Sequence, residues 1–358
     1  MAMKHNNSLD GIRTLAVAMV LGFHAAAPGA AGGYLGVDVF FVLSGFLITT
    51  LLMDEIESTG SIRLGRFYLR RCLRLTPPLL LMLAAYLVFA PIAWPQMAFA
   101  TDVRDVLIST FYLSDYASAF WSLPRYLRHT WSLSVECHFY LLWPLVTLFF
   151  ARRISRANFC GLLAVMYIVF TGWRVYCDLD GGGGYVHSYY RFDTRLSGLT
   201  AGSLLAALIP YLKSRISVRH PDVIAFLAVA AIAVCSWRFH LQSNAAMIFG
   251  ITVVELAAVA LVIVCLVSEQ SVVRAMLAHP VPSYVGRVSY GIYLWHYPIF
   301  VYMWGRCPWY VVLFGGGLAA FTLAVLSYHS VERIARRYAR KLREDGPHDV
   351  VSPASQPG

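Results

Sequence analysis

Ten apolar segments recur along the chain, and most approach the roughly 20 residues that a transmembrane helix needs. In order, they cover residues 10–27, 34–53, 73–93, 135–151, 159–177, 196–212, 222–240, 245–267, 288–305 and 309–330. Only 13% of the 358 residues are charged and the mean hydropathy is +0.61, which excludes an ordinary soluble domain. Several segments are short for a full span, as expected of helices that neighbours bury around a cavity. The sequence therefore predicts an all-α polytopic membrane protein with about ten transmembrane helices around an intramembrane cavity.

The remaining regions are assigned from their composition. Residues 102–113 are apolar on one side only, which predicts an interfacial or loop helix. Residues 1–343 are predicted to form one transmembrane domain. Residues 344–358 form a polar, proline-containing tail without a core-forming pattern, so we expect the tail to be disordered.

The distribution of lysine and arginine predicts the orientation in the membrane. Basic residues concentrate around 63–74, 152–156, 213–219 and 333–343. If the N-terminus is inside, all of these regions lie on the inner side of the membrane. Both termini are therefore expected to be cytoplasmic, in a multi-pass protein of the plasma membrane (the bacterial inner membrane). These basic loops account for the net charge of +10. Membrane lipids are therefore an expected partner, and no nucleic-acid partner is expected. The seven cysteines lack metal-ligand spacing, and we expect no metal.

The first apolar segment carries ionisable residues that a simple span would not need. Arg13 and His24 stand eleven residues apart, which places them on one helix face about 16 Å apart along the axis. Ionisable groups inside a membrane segment are candidates for function. A cleavable signal peptide is the alternative interpretation of this stretch, although Asp10 and the membrane-like remainder of the chain argue against it.

Two carboxylates are predicted to lie in the same half of the membrane as His24. Asp38 could orient the imidazole and hold its tautomer, or it could be a solvated residue at a helix start. Glu136 stands at the beginning of the fourth segment, two residues after Ser134. A structural alternative is that Ser134 caps this helix and Glu136 lies in its first turn.

A basic cluster precedes the third apolar segment. Arg66, Arg70, Arg71 and Arg74 fall within nine positions, and Arg71 and Arg74 would share a helix face. The positive-inside rule explains most clusters of this kind. The alternative is an anion site, because arginine offers a planar fork that pairs with phosphate oxygens.

Further polar residues have less specific interpretations. His296 is interpreted as a core histidine, although it and His138 are the alternatives to His24 as a base. Arg191, Asp193 and Arg195 could contact a sugar, but they are expected to form surface pairs. Glu255 has no explanation at this level.

Taken together, these stretches resemble the membrane-bound acyltransferase-3 family over most of the chain, from Asp10 to about Arg336. The matching stretches are LDGIRTLAV with the following His24, GVDVFFVLSGFLIT, FYLRRCLRLTPP, WSLSVECHFYLLWP, FDTRLSGLTAGSLLA and SYGIYLWHYPIF. Members of the family transfer acetyl or other short acyl groups from acyl-CoA to hydroxyls, often on cell-surface sugars. Longer members also carry a soluble hydrolase-like domain after the membrane part, which this sequence is expected to lack.

The resemblance assigns roles to individual residues. It implies that His24 is the catalytic histidine, that Ser134 and Glu136 form the family's Ser-x-Glu element, and that Arg13 belongs to the first-helix motif. It further implies that the acyl-CoA phosphates are bound by Arg70, Arg71 and Arg74. The chain departs from the usual pattern at four positions, namely Leu73, Cys137, His138 and Ser197.

The expected reaction is O-acyl transfer, most simply from acetyl-CoA or another acyl-CoA to a carbohydrate or lipid-linked saccharide acceptor. His24 is expected to remove the proton from the acceptor hydroxyl, and Glu136 or Asp38 would orient it or share the proton. An acyl-histidine intermediate is left open. The alternatives are acyl transfer to a non-sugar small molecule such as a macrolide, and a membrane transporter, which would use the same intramembrane charges as a relay.

Overall fold

The computed structural model describes residues 5–179, 184–215, 219–335 and 337–338, without the side chains of residues 214 and 215. These residues form helices joined by short loops, and no strand occurs among them. The α-helices are α1 (Asn7–His24), α2 (Gly36–Thr59), α3 (Leu64–Ala93), α4 (Phe99–Thr110), α5 (Ser114–Trp121), α6 (Trp131–Ala151), α7 (Arg156–Leu179), α8 (Gly184–Tyr190), α9 (Leu196–Arg215), α10 (Pro221–Arg238), α11 (Ile251–Val267), α12 (Val272–Ala278), α13 (Pro280–Met303) and α14 (Gly317–Ser327).

Short irregular helices extend several of these elements. Turns of 3₁₀-helix precede α2, α6 and α9 at Gly33–Leu35, Arg128–Thr130 and Asp193–Arg195. Segments of π-helix occur at Ala246–Gly250, Val311–Gly316 and Tyr328–Glu332, next to α11 and on both sides of α14.

The prediction of an all-α polytopic membrane protein is confirmed. Within the described ranges, eight helical segments are long and apolar enough to cross a membrane. They contain α2, α3, α6, α7, α9, α10, α11 and α14. The other two predicted segments correspond to α1 and α13, which are 18 and 24 residues long and are not among these eight. The predicted interfacial helix coincides with α4, whereas the tail at 344–358 lies outside the described residues.

The polar helices α1 and α13 lie against each other. Gly286 of α13 approaches the backbone carbonyl of Asp10 so closely that a Cβ would overlap with it. Thr14 of α1 donates a hydrogen bond of 2.5 Å to the carbonyl oxygen of Pro282. The ionisable residues of α1 are therefore placed between helices, because backbone contact at small residues brings the two axes together.

Helices α2 and α9 are also in direct backbone contact. Gly45 of α2 lies against the carbonyl of Leu199, and Gly202 of α9 lies against the carbonyl of Val42. Small residues at such crossings let helix backbones approach in a membrane. This contact fixes the first half of α9 beside α2.

The close crossing predicts a strong effect of a single methyl group. Gly202→Ala should lower the free energy of unfolding by about 1 to 3 kcal/mol, because its Cβ would meet the backbone of α2. The matched control is Gly161→Ala in α7, where a Cβ would meet no atom within 4 Å. Thermal unfolding of both variants in the same detergent micelles measures the difference. Equal melting temperatures for the two variants would contradict this packing.

Candidate functional site

A cavity of about 100 Å³ lies between α1, α2, α3, α6 and α13. Its charged lining consists of Arg13, Arg71, Arg74, Arg287 and Glu136. Hydroxyl groups of serine and tyrosine complete the polar part of the lining. Four arginines therefore face a single glutamate, which makes this cavity suited to a polyanionic ligand.

Arg71 has a free hydrogen-bond donor within this cavity. Its guanidinium lies 5.5 Å from the ring centroid of Phe67 and 5.8 Å from that of Tyr140, so aromatic rings hold it in place. Its Nε is buried and has no hydrogen-bond partner among the described residues. This buried donor is therefore available to a ligand in the cavity.

The structure separates Arg70 from its neighbours. Arg71 and Arg74 line the cavity together, as their spacing of three residues predicts. Arg70 instead lies 3.7 Å from Glu55 of α2, and its side chain is 39% exposed. Of the three arginines predicted to bind phosphate in this cluster, only two reach the cavity.

Asp10 holds Arg13 at the cavity. Arg13 Nη1 donates a 2.5 Å hydrogen bond to Asp10 Oδ1, one helical turn away. Asp10 is almost fully buried, whereas the Arg13 side chain retains 18% of its exposure. Arg13 is therefore oriented by its own helix and still presents part of its guanidinium to the cavity.

The two polar residues of the Ser-x-Glu element point to different places. Glu136 accepts a hydrogen bond from Ser44 within the arginine cavity, and Tyr140 donates to the same serine hydroxyl at 3.1 Å. Ser134 is fully buried and accepts a 3.1 Å hydrogen bond from the backbone N–H of Ser114, which fastens α5 to α6. Residues two positions apart point about 200° apart on a helix, which explains the separation.

His24 lies in a second polar cluster at the other end of α1. Its Nδ1 is 3.1 Å from Nε2 of His296, which is completely buried. Trp304 donates a 2.6 Å hydrogen bond to the His24 carbonyl, and the ring of Tyr297 packs edge-on against the imidazole at 5.0 Å. The His24 residue is half-buried, so its ring combines a fixed orientation with access.

His129 links the histidine cluster to the arginine cavity. Its ring lies 5.7 Å from that of His296 and stacks on Tyr297 at 4.8 Å. Tyr293, which lines the cavity, donates a 2.8 Å hydrogen bond to the His129 carbonyl. Sequence reasoning did not single out His129, although it stands two residues before the recognised WSLSVE stretch. His129 and Tyr293 thus lie between the two clusters.

Asp38 is paired with a residue other than His24. Arg195 Nη2 donates a 2.6 Å hydrogen bond to Asp38 Oδ1, and both side chains are at most 2% exposed. The guanidinium also lies 4.7 Å from the ring centroid of Tyr189. The expectation that Arg195 forms a surface pair is therefore wrong, because aromatic rings of α2, α6 and α8 surround its buried guanidinium. Arg191 and Asp193 do pair with each other, and both are partly exposed.

Glu255 belongs to a neighbouring buried network. Arg174 Nη1 lies 3.3 Å from Glu255 Oε1, and Ser197 donates a 2.6 Å hydrogen bond to the same oxygen. The Ser197 hydroxyl on α9 is thus a hydrogen-bond donor to a buried glutamate on α11. The sequence offered no signal for this contact, since its members lie on three different helices.

Comparison with known proteins identifies the class. The family model for acyltransferase-3, described as an acyltransferase domain, matches residues 6–329. The chain therefore belongs to the acyltransferase-3 family, which confirms the family predicted from its motifs.

Among curated relatives, the O-acetyltransferase OatA of Staphylococcus aureus (strain NCTC 8325 / PS 47) is 32% identical over 348 residues, which is 92% of this chain and 57% of the relative. The peptidoglycan O-acetyltransferase OatA of Listeria monocytogenes is 29% identical over 310 residues, which is 83% of this chain and 49% of the relative. The chain thus spans about half the length of these relatives. No solved structure matches it.

The buried pair of Asp38 and Arg195 yields a stability prediction. Asp38→Leu should lower the free energy of unfolding by about 3 to 5 kcal/mol, because it leaves the Arg195 charge unpaired in the helix bundle. The double variant Asp38→Leu with Arg195→Met should recover much of this loss, since it removes both charges. Thermal unfolding in micelles tests the coupling. A double variant as unstable as the sum of its single replacements would contradict a direct pair.

Proposed function

We propose that this protein is an integral-membrane O-acyltransferase that moves an acetyl group from acetyl-CoA to a carbohydrate hydroxyl. The observation that carries the proposal is the arginine cavity. One of its lining residues, Arg13, lies on the same helix as the half-buried His24, eleven residues further along. An acyl-CoA donor has a phosphate-rich head and a long thin arm that ends in the thioester. A cationic cavity with a base about 16 Å away fits both ends of such a molecule.

Arg13, Arg71 and Arg74 are proposed to bind the donor phosphates, with the unpartnered Nε of Arg71 as one donor atom. Arg287 joins them from α13, where it is exposed at the cavity lining. Glu136 would set the position of these arginines and of Ser44 rather than assist His24, since its hydrogen bond lies in the arginine cavity. Arg70, Asp38 and Ser134 are assigned structural roles.

His24 is proposed as the general base. One of its ring nitrogens takes the proton of the acceptor hydroxyl while the oxygen attacks the thioester carbonyl. The carbon–sulfur bond then breaks, and the imidazolium returns the proton to the departing thiolate. This scheme needs no acyl-enzyme intermediate, because the same histidine accepts the proton and returns it.

The relatives support a saccharide acceptor, since one of them is named a peptidoglycan O-acetyltransferase. With both termini in the cytoplasm, as the basic loops predict, the arginine cavity faces the side on which acetyl-CoA is found. His24 would then lie toward the opposite side, where it could meet a sugar hydroxyl or a lipid-linked saccharide within the plasma membrane.

Binding and transfer can be separated by three variants. Arg71→Ala should weaken acetyl-CoA binding about 10- to 100-fold, because it removes charge-assisted hydrogen bonds. Arg70→Ala is the matched control, since it removes the same charge from the adjacent position without altering the cavity. His24→Ala should bind the donor normally but lose about 10² to 10⁴-fold in transfer. Isothermal titration with acetyl-CoA and transfer of a radiolabelled acetyl group measure the two effects.

Equal donor affinity in Arg71→Ala and Arg70→Ala would remove the cavity as the donor site. Substantial transfer by His24→Ala would remove the histidine as the base and favour His296 or His138 instead. Melting temperatures of all variants establish that any loss is not due to unfolding.

A further inference from the structure

The backbone of α13 fixes the position of the proton on His296. Nδ1 of this ring lies 2.7 Å from the carbonyl oxygen of Tyr293 and 3.3 Å from that of Ile292. Carbonyl oxygens can only accept hydrogen bonds, so Nδ1 must carry a hydrogen. The two carbonyl oxygens of α13 therefore place the ring proton of His296 on Nδ1.

The other nitrogen of His296 must then be an acceptor if the ring is neutral. The side chain is 0% exposed, and within the described residues its hydrogen-bond contacts are the two carbonyls and His24, none of them a carboxylate. A buried imidazolium without an anionic partner is costly, so the neutral ring is favoured. A neutral imidazole has one N–H, which leaves a lone pair on Nε2.

This lone pair constrains the tautomer of His24, whose ring also interacts with the backbone carbonyl of Val20 one turn earlier in α1. Nε2 of His296 lies 3.1 Å from Nδ1 of His24, so His24 Nδ1 must be the donor. In a neutral His24 the remaining nitrogen, Nε2, then carries the free lone pair. The two rings form a directional chain of hydrogen bonds that runs from His24 through His296 to the α13 backbone.

We propose that His296 is a positioning residue that holds His24 in the Nδ1–H tautomer and thereby makes Nε2 the basic atom. This inference rests on the proposed role of His24 and names the atom that would perform it. When Nε2 takes the acceptor proton, Nδ1–H of the imidazolium continues to donate to His296. That hydrogen bond becomes charge-assisted and stronger as the positive charge develops. A carboxylate often performs this task beside a catalytic histidine, and here a neutral ring performs it.

Contacts around both rings preserve this orientation. His296 packs edge-on against Phe300 at 5.6 Å, and His24 is held through its carbonyl by Trp304. Neither contact involves a ring nitrogen of the two histidines. The hydrogen bond to His296 therefore acts on the tautomer, whereas packing sets the ring planes.

The test compares three substitutions at one position. The side-chain oxygen of Gln can reach the place of the histidine Nε2, so His296→Gln should still accept a hydrogen bond from His24. Asn reaches only the place of Nδ1, and Leu offers no acceptor, so His296→Asn and His296→Leu should lose the contact. Transfer should fall about 10- to 100-fold in the Asn and Leu variants, with the KM for acetyl-CoA unchanged, and Gln should restore most of it.

Nitrogen NMR of the full-length protein in micelles, labelled with ¹⁵N-histidine, reads the tautomer directly. The chain contains 11 histidines, and the His24 signals are those lost in His24→Ala. We expect Nδ1 protonated and Nε2 bare in the unaltered protein and in His296→Gln, but a mixture of tautomers in His296→Asn and His296→Leu. An Nε2–H tautomer in the unaltered protein, or an unchanged tautomer in His296→Leu, would overturn the proposal. Because the spectra need no substrate, a fixed tautomer without acetyl transfer would instead reject the proposed function.

Discussion

The pairing of charged side chains inside an apolar helix bundle governs this structure. Asp38 with Arg195 and Arg174 with Glu255 are buried pairs that join different helices. A charge left alone in such surroundings would cost several kcal/mol, so each partner determines where the helix of the other can lie. The Asp38 pair therefore fixes the start of α9 against α2, together with the glycine contacts of the same two helices.

The arginine cavity is the exception to this balance. Four arginines line it with one glutamate, and Asp10 supplies a second carboxylate just outside the lining. The helices that carry these arginines are nevertheless held by neutral contacts, such as the 2.8 Å hydrogen bond from Tyr290 to the Leu75 carbonyl. An excess of positive charge that the fold itself does not neutralise supports the proposed role of this cavity as an anion site.

Hydropathy predicts where the helices are, but it does not predict which side chains meet. All ten predicted segments correspond to helices because apolar composition and length determine a span locally. The partner of Asp38 lies 157 positions further along the chain, and no local pattern encodes that contact. For the same reason His24 was expected to meet Asp38 or Glu136, whereas it contacts His296, which is 272 positions away. Arg70 and Arg71 are adjacent and alike in sequence, and only the rotation of α3 against its neighbours separates them.

In the proposed reaction, the donor binds at the arginine cavity on one side of the membrane while the acceptor is acylated at His24 toward the other. The most direct measurement uses sealed vesicles of known orientation, with radiolabelled acetyl-CoA added outside and a saccharide acceptor enclosed. We expect labelled acceptor inside the vesicles when the cytoplasmic face is outward, and little label when it is inward. Acylation of an acceptor added to the same side as the donor, or labelling that is independent of orientation, would contradict it.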